Sequence, residues 1–214
     1  MSAPFPRRGL YAITDGPRRD LLTAAAAVLA GGAVLLQYRD KTADDNRRRS
    51  EAEALLRLCR ERRVPLIIND DVELAARVGA DGVHVGQSDV NIASARRLLG
   101  TQAIIGASCY ASLDRARQLA AAGPTYLAFG AFFASPTKPH AQRASLELLR
   151  EARVLKLPLV AIGGITPDNA AVLQQAGADL LAVVSGVFGA SDPEAAARRY
   201  AALFTSTAMD PDAY

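Results

Sequence analysis

The sequence predicts a single-domain (β/α)8 barrel that spans residues 1–214. Short apolar segments typical of buried strands recur eight times, and each is followed by a stretch with helical character, as in folds built on a parallel sheet. The segments "AARVGADGVHVG" and "LQQAGADLLAVV" look like two copies of one helix–turn–strand unit, which indicates repeated units rather than two unlike domains. A chain of 214 residues also suits one barrel of this kind.

The predicted strands are separated by helical stretches, several of which end in Gly or Ala-Gly, as a helix C-cap does. In chain order the strands cover residues 10–15, 33–39, 65–70, 82–86, 103–108, 126–131, 158–164 and 180–186. The alternative, a doubly wound open sheet, usually places a GxGxxG fingerprint after its first strand, whereas "AITDGPRRD" stands there in this chain. We therefore favour the barrel, with a tail from about residue 206 that we expect to be partly disordered.

The net charge of +3 is modest, although the sequence pI is about 9.1. Much of the excess positive charge lies in one helical stretch, in Arg47, Arg48, Arg49, Arg57, Arg60, Arg62 and Arg63. We interpret this stretch as a solvated helix face, because no aromatic residue is interleaved for stacking on bases. No nucleic-acid partner is therefore expected.

The chain is expected to work in the cytoplasm without contacting a membrane. Its start, "MSAPFPRRG", lacks the apolar region of a signal peptide, and the most apolar helical stretch breaks at Gly31 and Gly32. Cys59 and Cys109 form neither a CxxC pair nor a disulfide framework, which favours a reducing compartment. Cys109 directly follows the end of a predicted strand, and we expect it to be a small residue at the barrel mouth.

The segment "QYRDK" closes the second predicted strand with polar residues at every other position. Because successive strand side chains point to opposite faces, Gln37, Arg39 and Lys41 share one face. The active site of such a barrel lies at the C-terminal ends of its strands, so a ligand there could bind these groups. A structural ion pair with Asp15 or Asp40 is an equally good explanation of this row taken alone.

Acidic residues follow the third and fourth predicted strands. Asp70 and Asp89 stand where carboxylates from adjacent strand ends would meet phosphate-binding cations, an arrangement that suits Mg²⁺. Helix capping is the alternative for Asp71 and Asp89, since each precedes a helical pattern. For Asp70 this alternative is weaker, because Asp71 already occupies the capping position.

The last three strand ends predict anion binding. Gly163, Gly164, Ser185 and Gly186 stand after strands seven and eight, where barrels commonly bind phosphate through backbone N–H groups. The loop "FFASPTKPHA" after strand six brings hydroxyls and a lysine to the same mouth, which predicts an anion clamp or lid. An ordinary surface loop is the alternative reading of that segment.

No Ser/His/Asp or Cys/His nucleophile arrangement is evident in the sequence. His84 lies within a predicted core strand and is expected to be hydrogen-bonded there.

Taken together, the strand ends resemble the thiamine-phosphate synthase family along nearly the whole chain, through "LYAITD", "LLQYRDK", "LIINDD", "GVHVGQSD", "IIGAS", "FGAFFASPTK", "VAIGGIT" and "VVSGV". The resemblance implies a barrel enzyme, a transferase that joins 4-amino-2-methyl-5-(diphosphooxymethyl)pyrimidine to a thiazole phosphate or its carboxylate. The products would be thiamine phosphate and diphosphate, formed by dissociative, Mg²⁺-assisted loss of diphosphate. It also makes a homodimer plausible.

The resemblance implies roles for individual residues. The pyrimidine diphosphate would be bound by Gln37, Tyr38, Arg39, Asp40, Lys41, Asn69, Ser108 and Lys138. Among these, the catalytic group would be Arg39, Lys41, Ser108 and Lys138. The thiazole phosphate would be bound by Ser135, Pro136, Thr137, Gly164, Val184 and Ser185, and Mg²⁺ by Asp70 and Asp89.

Three positions depart from the family pattern. The clamp reads "SPTK" where Thr-x-Thr-Lys is frequent, Tyr110 stands where a histidine is frequent, and Gly186 replaces the usual alanine. Two alternatives to the synthase stay open on the sequence. One is a barrel resembling the thiazole tautomerase, which needs no metal and typically uses a pocket histidine. The other is a non-catalytic barrel that binds thiamine precursors.

Overall fold

The computed structural model describes residues 4–86, 92–134 and 142–205. Eight parallel strands close into a barrel in chain order, and each pairs with the next while the first pairs with the last. The strands are β1 (Gly9–Ile13), β2 (Ala33–Tyr38), β3 (Leu66–Asn69), β4 (Gly82–Val85), β5 (Ile104–Tyr110), β6 (Tyr126–Phe129), β7 (Leu159–Ile162) and β8 (Leu180–Val183). The predicted (β/α)8 barrel is confirmed.

Helices surround the barrel. They are α1 (Leu21–Ala30), α2 (Asp45–Arg62), α3 (Val72–Val78), α4 (Ile92–Leu99), α5 (Leu113–Ala121), α6 (Leu146–Ala152), α7 (Ala171–Gln175), α8 (Ser185–Phe188) and α9 (Pro193–Thr205). Asp44, Asp71, Ser112 and Ser145 each accept a hydrogen bond from the backbone N–H three residues on. These N-caps satisfy amides that have no partner within the helix. The capping role expected for Asp71 is confirmed.

Several strands end earlier than the sequence predicts. β7 ends at Ile162, because Gly163 and Gly164 have φ angles of +106° and +63°, which are incompatible with an extended strand. β8 ends at Val183, and Ser185 already begins α8. The residues that line the site thus follow the strands rather than belonging to them.

Side chains alternate between two apolar layers, as strand geometry requires. On β1, Leu10 and Ala12 pack outward against the helices, whereas Tyr11 and Ile13 point into the barrel. The interior layer also contains Leu35, Ile67, Ile104, Tyr126, Ala128, Val160, Leu180 and Ala182. These apolar side chains fill the barrel toward the amino ends of the strands. Polar side chains are concentrated toward the carboxyl ends.

The expectation that Cys109 lies at the barrel mouth is wrong. β5 continues to Tyr110, so Ser108 points inward and Cys109 points outward into the layer beneath the helices. Cys59 is buried in the same layer. Burial raises the pKa of each thiol to about 12, since a thiolate would lose its hydration there.

The arginine-rich helix α2 is not solvated along its whole length. Its exposed residues include Arg57, Arg60 and Arg62, and Arg63, which follows its end, is also exposed, as expected. Near its N-terminus, however, Arg47 Nη2 lies 2.6 Å from Asp40 Oδ2, and Arg48 Nη2 lies 2.8 Å from Asp71 Oδ2. Part of the basic stretch therefore ties α2 to the strand ends, and the prediction of a wholly solvated face is wrong there.

Among the residues that the structure describes, no helix is both long and apolar enough to cross a membrane.

Candidate active site

A cavity of about 550 Å³ opens at the carboxyl ends of the strands. It collects predicted site residues that are up to 148 positions apart in the chain, from Gln37 to Ser185. Those among its lining residues are Gln37, Arg39, Lys41, Asn69, Asp70, Ser108, Gly164, Val184 and Ser185. The strand-end residues thus converge on one site, as the barrel predicts.

The polar row of β2 faces this cavity. Thr14 fixes the row's backbone, since its Oγ1 accepts from Arg39 N at 2.8 Å and donates to Arg39 O at 3.2 Å. Gln37, Arg39 and Lys41 line the cavity, whereas the two alternate side chains point away from it. Tyr38 Oη donates to Glu51 Oε2 at 2.7 Å.

Asp40, the other outward side chain, is bound to α2. Its carboxylate accepts from Thr42 N and pairs with Arg47. The side chains of Tyr38 and Asp40 therefore face the helix layer. Either residue could contact a ligand in the cavity through its backbone groups only.

The alternative explanation of the row, an ion pair with Asp15 or Asp40, is wrong. Asp15 pairs with Arg18 at 3.1 Å, and Asp40 pairs with Arg47. Within residues 4–86, 92–134 and 142–205, Arg39 and Lys41 form no ion pair. In this part of the chain both side chains therefore line the cavity without an ion-pair partner, as is typical of an anion-binding site.

The end of β3 directs one carboxylate into the cavity and another into a helix cap. Asp70 has a φ of +62°, and its N–H donates to His84 O at 2.8 Å. The Asn69 Nδ2 group donates to Asp70 Oδ2 at 2.6 Å. Asp and Asn tolerate this left-handed conformation better than most residues. The turn thus separates Asp70, which lines the cavity, from Asp71, which caps α3.

The other predicted metal ligand, Asp89, lies outside the described residues, as do Ser135, Pro136, Thr137 and Lys138 of the predicted clamp and the tail from about 206. Among the residues that are described, no group of three or more His, Cys, Asp or Glu side chains could hold a metal ion. At the end of β3, the Asp70 carboxylate and the Asn69 amide are side-chain oxygen donors that line the cavity.

The opposite side of the cavity includes the glycine turn after β7 and the start of α8. Gly163 and Gly164 turn the chain sharply after β7, and a Cβ on Gly164 would lie 2.2 Å from Ala134 O. The Asn169 Nδ2 group donates to Gly164 O at 3.0 Å and fixes this turn. Ser185 and Gly186 open α8, so their amides are among the helix N–H groups that lack an intrahelical acceptor. The predicted placement of these groups at the cavity is confirmed.

Five side chains form a hydrogen-bonded chain in the barrel interior. Gln37 Nε2 lies 2.6 Å from Tyr11 Oη, which lies 2.8 Å from Tyr126 Oη. His84 links Tyr126 to Ser108, with Nδ1 and Nε2 each at 2.9 Å from their partners. The expectation of a hydrogen-bonded His84 is confirmed, and this histidine also lines the cavity. Burial raises the pKa of both tyrosines above its ordinary value, so both phenols stay protonated.

Tyr11 and Tyr126 were not predicted as site residues. The available signal was weak: each is a tyrosine inside an apolar strand, and a buried phenol usually has a hydrogen-bond partner. The partner itself cannot be read from the sequence, because the two residues are 115 positions apart.

Tyr110, which departs from the family pattern, also lines the cavity. Its φ is +54°, and the Arg115 guanidinium carbon lies 5.6 Å from the centre of its ring. Arg115 also donates to Ser108 O at 2.8 Å and to Gly86 O at 3.2 Å. Arg115 therefore braces the ends of β4 and β5 from outside the cavity.

Comparisons with known proteins agree with this geometry. The model of the family described as thiamine monophosphate synthase matches residues 10–187. The chain is 58% identical over 201 residues to the thiamine-phosphate synthase of Thioalkalivibrio sulfidiphilus, covering 92% of this chain and 95% of that protein. It is 55% identical over 203 residues to the thiamine-phosphate synthase of Nitrosococcus oceani, covering 93% and 94% respectively.

One solved structure is similar to this chain in both fold and sequence. Thiamine phosphate pyrophosphorylase from Pyrococcus furiosus superimposes with a TM-score of 0.84 at 34% identity, covering 94% of this chain and 96% of that one. The match of the family model runs from β1 to beyond β8. The chain belongs to the thiamine monophosphate synthase family.

Proposed function

We propose that this chain is a thiamine-phosphate synthase that joins 4-amino-2-methyl-5-(diphosphooxymethyl)pyrimidine to a thiazole phosphate or its carboxylate. The main evidence is the cavity itself, which the polar row at the end of β2 and the glycine-rich turn after β7 both line. Two phosphorylated substrates need two anion sites of this kind in one enclosure. Family membership and the names of the similar proteins support the same activity.

In the proposed reaction, the thiazole nitrogen attacks the methylene carbon of the pyrimidine. The C–O bond to diphosphate breaks, diphosphate carries away the electron pair, and the thiazole nitrogen supplies the pair for the new C–N bond. Because the thiazole nitrogen is already a nucleophile, no side chain has to remove a proton. An aminopyrimidine can stabilise the cation left by early departure of diphosphate, so the step can be dissociative.

The protein's part is then mainly electrostatic. Arg39 and Lys41 would bind the diphosphate and offset the charge that grows on it as it leaves, together with Lys138 from the loop after β6. Gln37, Asn69 and Ser108 would hold the pyrimidine end. Fixed donors of this kind favour the transition state because they need no reorganisation during the reaction.

The thiazole phosphate would be bound on the opposite side. Gly164, Val184 and Ser185 line the cavity there, and the amides that open α8 suit a phosphate oxygen. Ser135, Pro136 and Thr137 would complete this half from the loop after β6. The arrangement holds the thiazole by a group that takes no part in bond making.

Mg²⁺ is proposed as the cofactor. The donor set fits, because Mg²⁺ usually takes one or two protein carboxylates and completes its shell with phosphate oxygens and water, and Asp70 supplies a carboxylate at the cavity. Asp70 and Asp89 would hold the ion, which when bound would neutralise charge on the diphosphate.

One observation favours the tautomerase alternative, which typically uses a pocket histidine: His84 lines the cavity. Its two ring nitrogens, however, both lie at hydrogen-bond distance from protein groups, Tyr126 Oη and Ser108 Oγ. The similar proteins at more than half identity are named as synthases. We therefore retain the synthase.

One incubation tests the proposal. The protein is mixed with both substrates and Mg²⁺, and thiamine phosphate and diphosphate are measured together. Equal amounts of the two products are expected, with none when either substrate is omitted. Rearrangement of the thiazole without coupling would support the tautomerase, and binding of both precursors without turnover would support the non-catalytic barrel.

We also propose that the protein works in the cytoplasm, and as a homodimer, which the family resemblance suggests. Cys59 and Cys109 are buried free thiols, in keeping with a reducing compartment. Sedimentation analysis of the purified chain tests the dimer, with a single monomeric species as the contrary result. Small phosphorylated molecules are the proposed partners, without nucleic acid or membrane.

A further inference from the structure

The hydrogen-bonded chain of the barrel interior links two groups that line the cavity from different strands. Gln37 stands at one end on β2, and Ser108 stands at the other on β5. Between them lie Tyr11, Tyr126 and His84, joined by contacts of 2.6 to 2.9 Å. The two phenols are buried, with exposures of 1% and 0%, so their hydroxyls depend on these neighbours for hydrogen bonds.

The number of protons available constrains the direction of these hydrogen bonds. A phenol has one proton, and a neutral imidazole donates from one nitrogen and accepts at the other. A buried hydroxyl proton without an acceptor is costly. Tyr11 and Tyr126 must therefore each donate to one neighbour and accept from the other. When His84 is neutral, all donors then point the same way along the chain.

Two directions satisfy this rule. In the first, which the structure adopts at its first link, Gln37 Nε2 donates to Tyr11, and the donors run through Tyr126 and His84 to Ser108 Oγ. Gln37 Oε1 then remains to accept from a ligand, and the Ser108 hydroxyl remains to donate to one. Rotating the Gln37 amide so that its oxygen and nitrogen exchange places reverses the direction of every hydrogen bond in the chain. Gln37 would then donate to a ligand, and Ser108 would accept from one.

We infer that Tyr126 is a positioning residue that couples the amide orientation of Gln37 to the hydroxyl orientation of Ser108. The cavity then takes a ring that offers a donor at one contact and an acceptor at the other. An aminopyrimidine has this character, because its exocyclic amino group donates and its ring nitrogens accept. The inference rests on the proposed function and adds to it the residue that sets how the pyrimidine is recognised.

The packing of Tyr126 holds its hydroxyl at one place. Gly106 leaves room for the ring, since a Cβ there would lie 2.0 Å from Tyr126 Cζ. Phe5 stacks on the same ring at 5.1 Å between centroids, and Tyr11 meets it edge-on at 5.9 Å. These contacts use the ring alone, so Tyr126→Phe should keep the packing while removing the link.

A double-mutant cycle measures the coupling. Gln37→Met and Ser108→Ala are combined, and kcat/KM for the pyrimidine diphosphate is compared in the wild-type and Tyr126→Phe backgrounds. We expect the effects of the two changes to depart from additivity by about tenfold with Tyr126 present and by less than about twofold without it. Tyr126→Phe alone should lower kcat/KM for the pyrimidine about tenfold and leave KM for the thiazole phosphate unchanged.

Tyr200→Phe is the matched control. Tyr200 is also buried, and its hydroxyl donates to Ile165 O at 2.9 Å, outside the chain of five. Its loss should leave the coupling between Gln37 and Ser108 intact. If Tyr126→Phe preserves the coupling as well, the inference is overturned.

The tautomer of His84 provides a readout that does not depend on turnover. The chain has two histidines, so ¹⁵N NMR of a His140→Gln variant reports on His84 alone. We expect one neutral tautomer with the proton on Nε2, and a mixture of tautomers after Tyr126→Phe. An unchanged tautomer after that substitution would contradict the inference.

The outcomes separate this inference from the proposed function. A wild-type protein that forms no thiamine phosphate would refute the function, while the NMR experiment would still decide whether Tyr126 sets the tautomer. If Tyr126→Phe does not fold, Tyr11→Phe breaks the adjacent link. The same loss of coupling is then expected, and retained coupling would refute the inference.

Discussion

The two halves of the cavity are built from different parts of the polypeptide. On the β2–β3 side, charged side chains line the cavity, namely Arg39, Lys41 and Asp70. On the β7–β8 side, the lining includes Gly163, Gly164, Ser185 and Gly186, together with apolar residues such as Ile162 and Ile165. One half is thus rich in charged side chains, and the other is built from glycine turns and uncharged residues.

This difference matches what each half is proposed to bind. The diphosphate changes charge during the reaction, so the side that binds it benefits from full charges that act most strongly on the transition state. The thiazole phosphate keeps its charge throughout, and backbone amides can hold such a group equally well before and after the reaction. Substitutions in the first half should therefore affect turnover and binding of the pyrimidine diphosphate, and those in the second half should affect binding of the thiazole phosphate.

The largest expected effect is that of Asp70→Asn. Asparagine tolerates the φ of +62° at this position, so the fold should persist while the charge is lost. We expect kcat to fall about 100-fold or more with Mg²⁺ limiting. Asp89→Asn should behave in the same way, as the sequence predicts.

The adjacent Asp71→Asn is the control for Asp70. Asparagine is as good an N-cap as aspartate, so turnover should stay within about threefold. Near-normal activity of Asp70→Asn would remove that residue from the metal site.

Lys41→Met tests which substrate the charged half serves. Methionine keeps much of the side-chain length but deletes the charge, so affinity for the pyrimidine diphosphate should fall by about 1.5–3 kcal/mol. Affinity for the thiazole phosphate, measured by calorimetry without the other substrate, should barely change. Equal weakening of both would mean that the row is a general electrostatic feature, and weakening of the thiazole alone would exchange the two halves.

Gly164→Ala tests the backbone half. The new Cβ would meet Ala134 O at 2.2 Å, at a φ of +63°, so the turn after β7 must move. We expect KM for the thiazole phosphate to rise about tenfold while KM for the pyrimidine diphosphate changes little.

Gly123→Ala separates this effect from backbone strain. Its φ is +72°, yet nothing lies within 4 Å of the added Cβ. Both substitutions should cost about 1 kcal/mol of unfolding free energy from conformation alone, and Gly164→Ala alone should weaken thiazole binding. The same kinetics in both variants would argue against a phosphate site at this turn.

Asp40→Asn should have the smallest kinetic effect, although Asp40 lies between two residues of the charged row. Its side chain faces α2 and pairs with Arg47, so the loss should lower the unfolding free energy by about 1–3 kcal/mol. Chemical denaturation measures this change. KM for the pyrimidine diphosphate should stay within about twofold, and a large rise would show that the outward face of β2 also serves the ligand.

The sequence determined the barrel and most of the described mouth residues. Alternation of polar positions in "QYRDK" placed Gln37, Arg39 and Lys41 on one face, and the carboxyl ends of parallel strands share one end of a barrel. The cap at Asp71 was also predictable, because a cap depends on residues only three positions apart. Local periodicity is sufficient for features of this kind.

The pairings between residues that are distant in the sequence depend on the tertiary structure. The choice of Arg47 rather than Arg39 or Lys41 as the partner of Asp40 depends on how α2 packs against the end of β2. The outward direction of Cys109 followed from where β5 ends. The contact of Tyr11 with Tyr126 depends on the closure of the barrel, which brings β1 and β6 within hydrogen-bond distance across its interior. Sequence periodicity gives the face on which a side chain lies, but the partner across the barrel is set by strand order, register and packing.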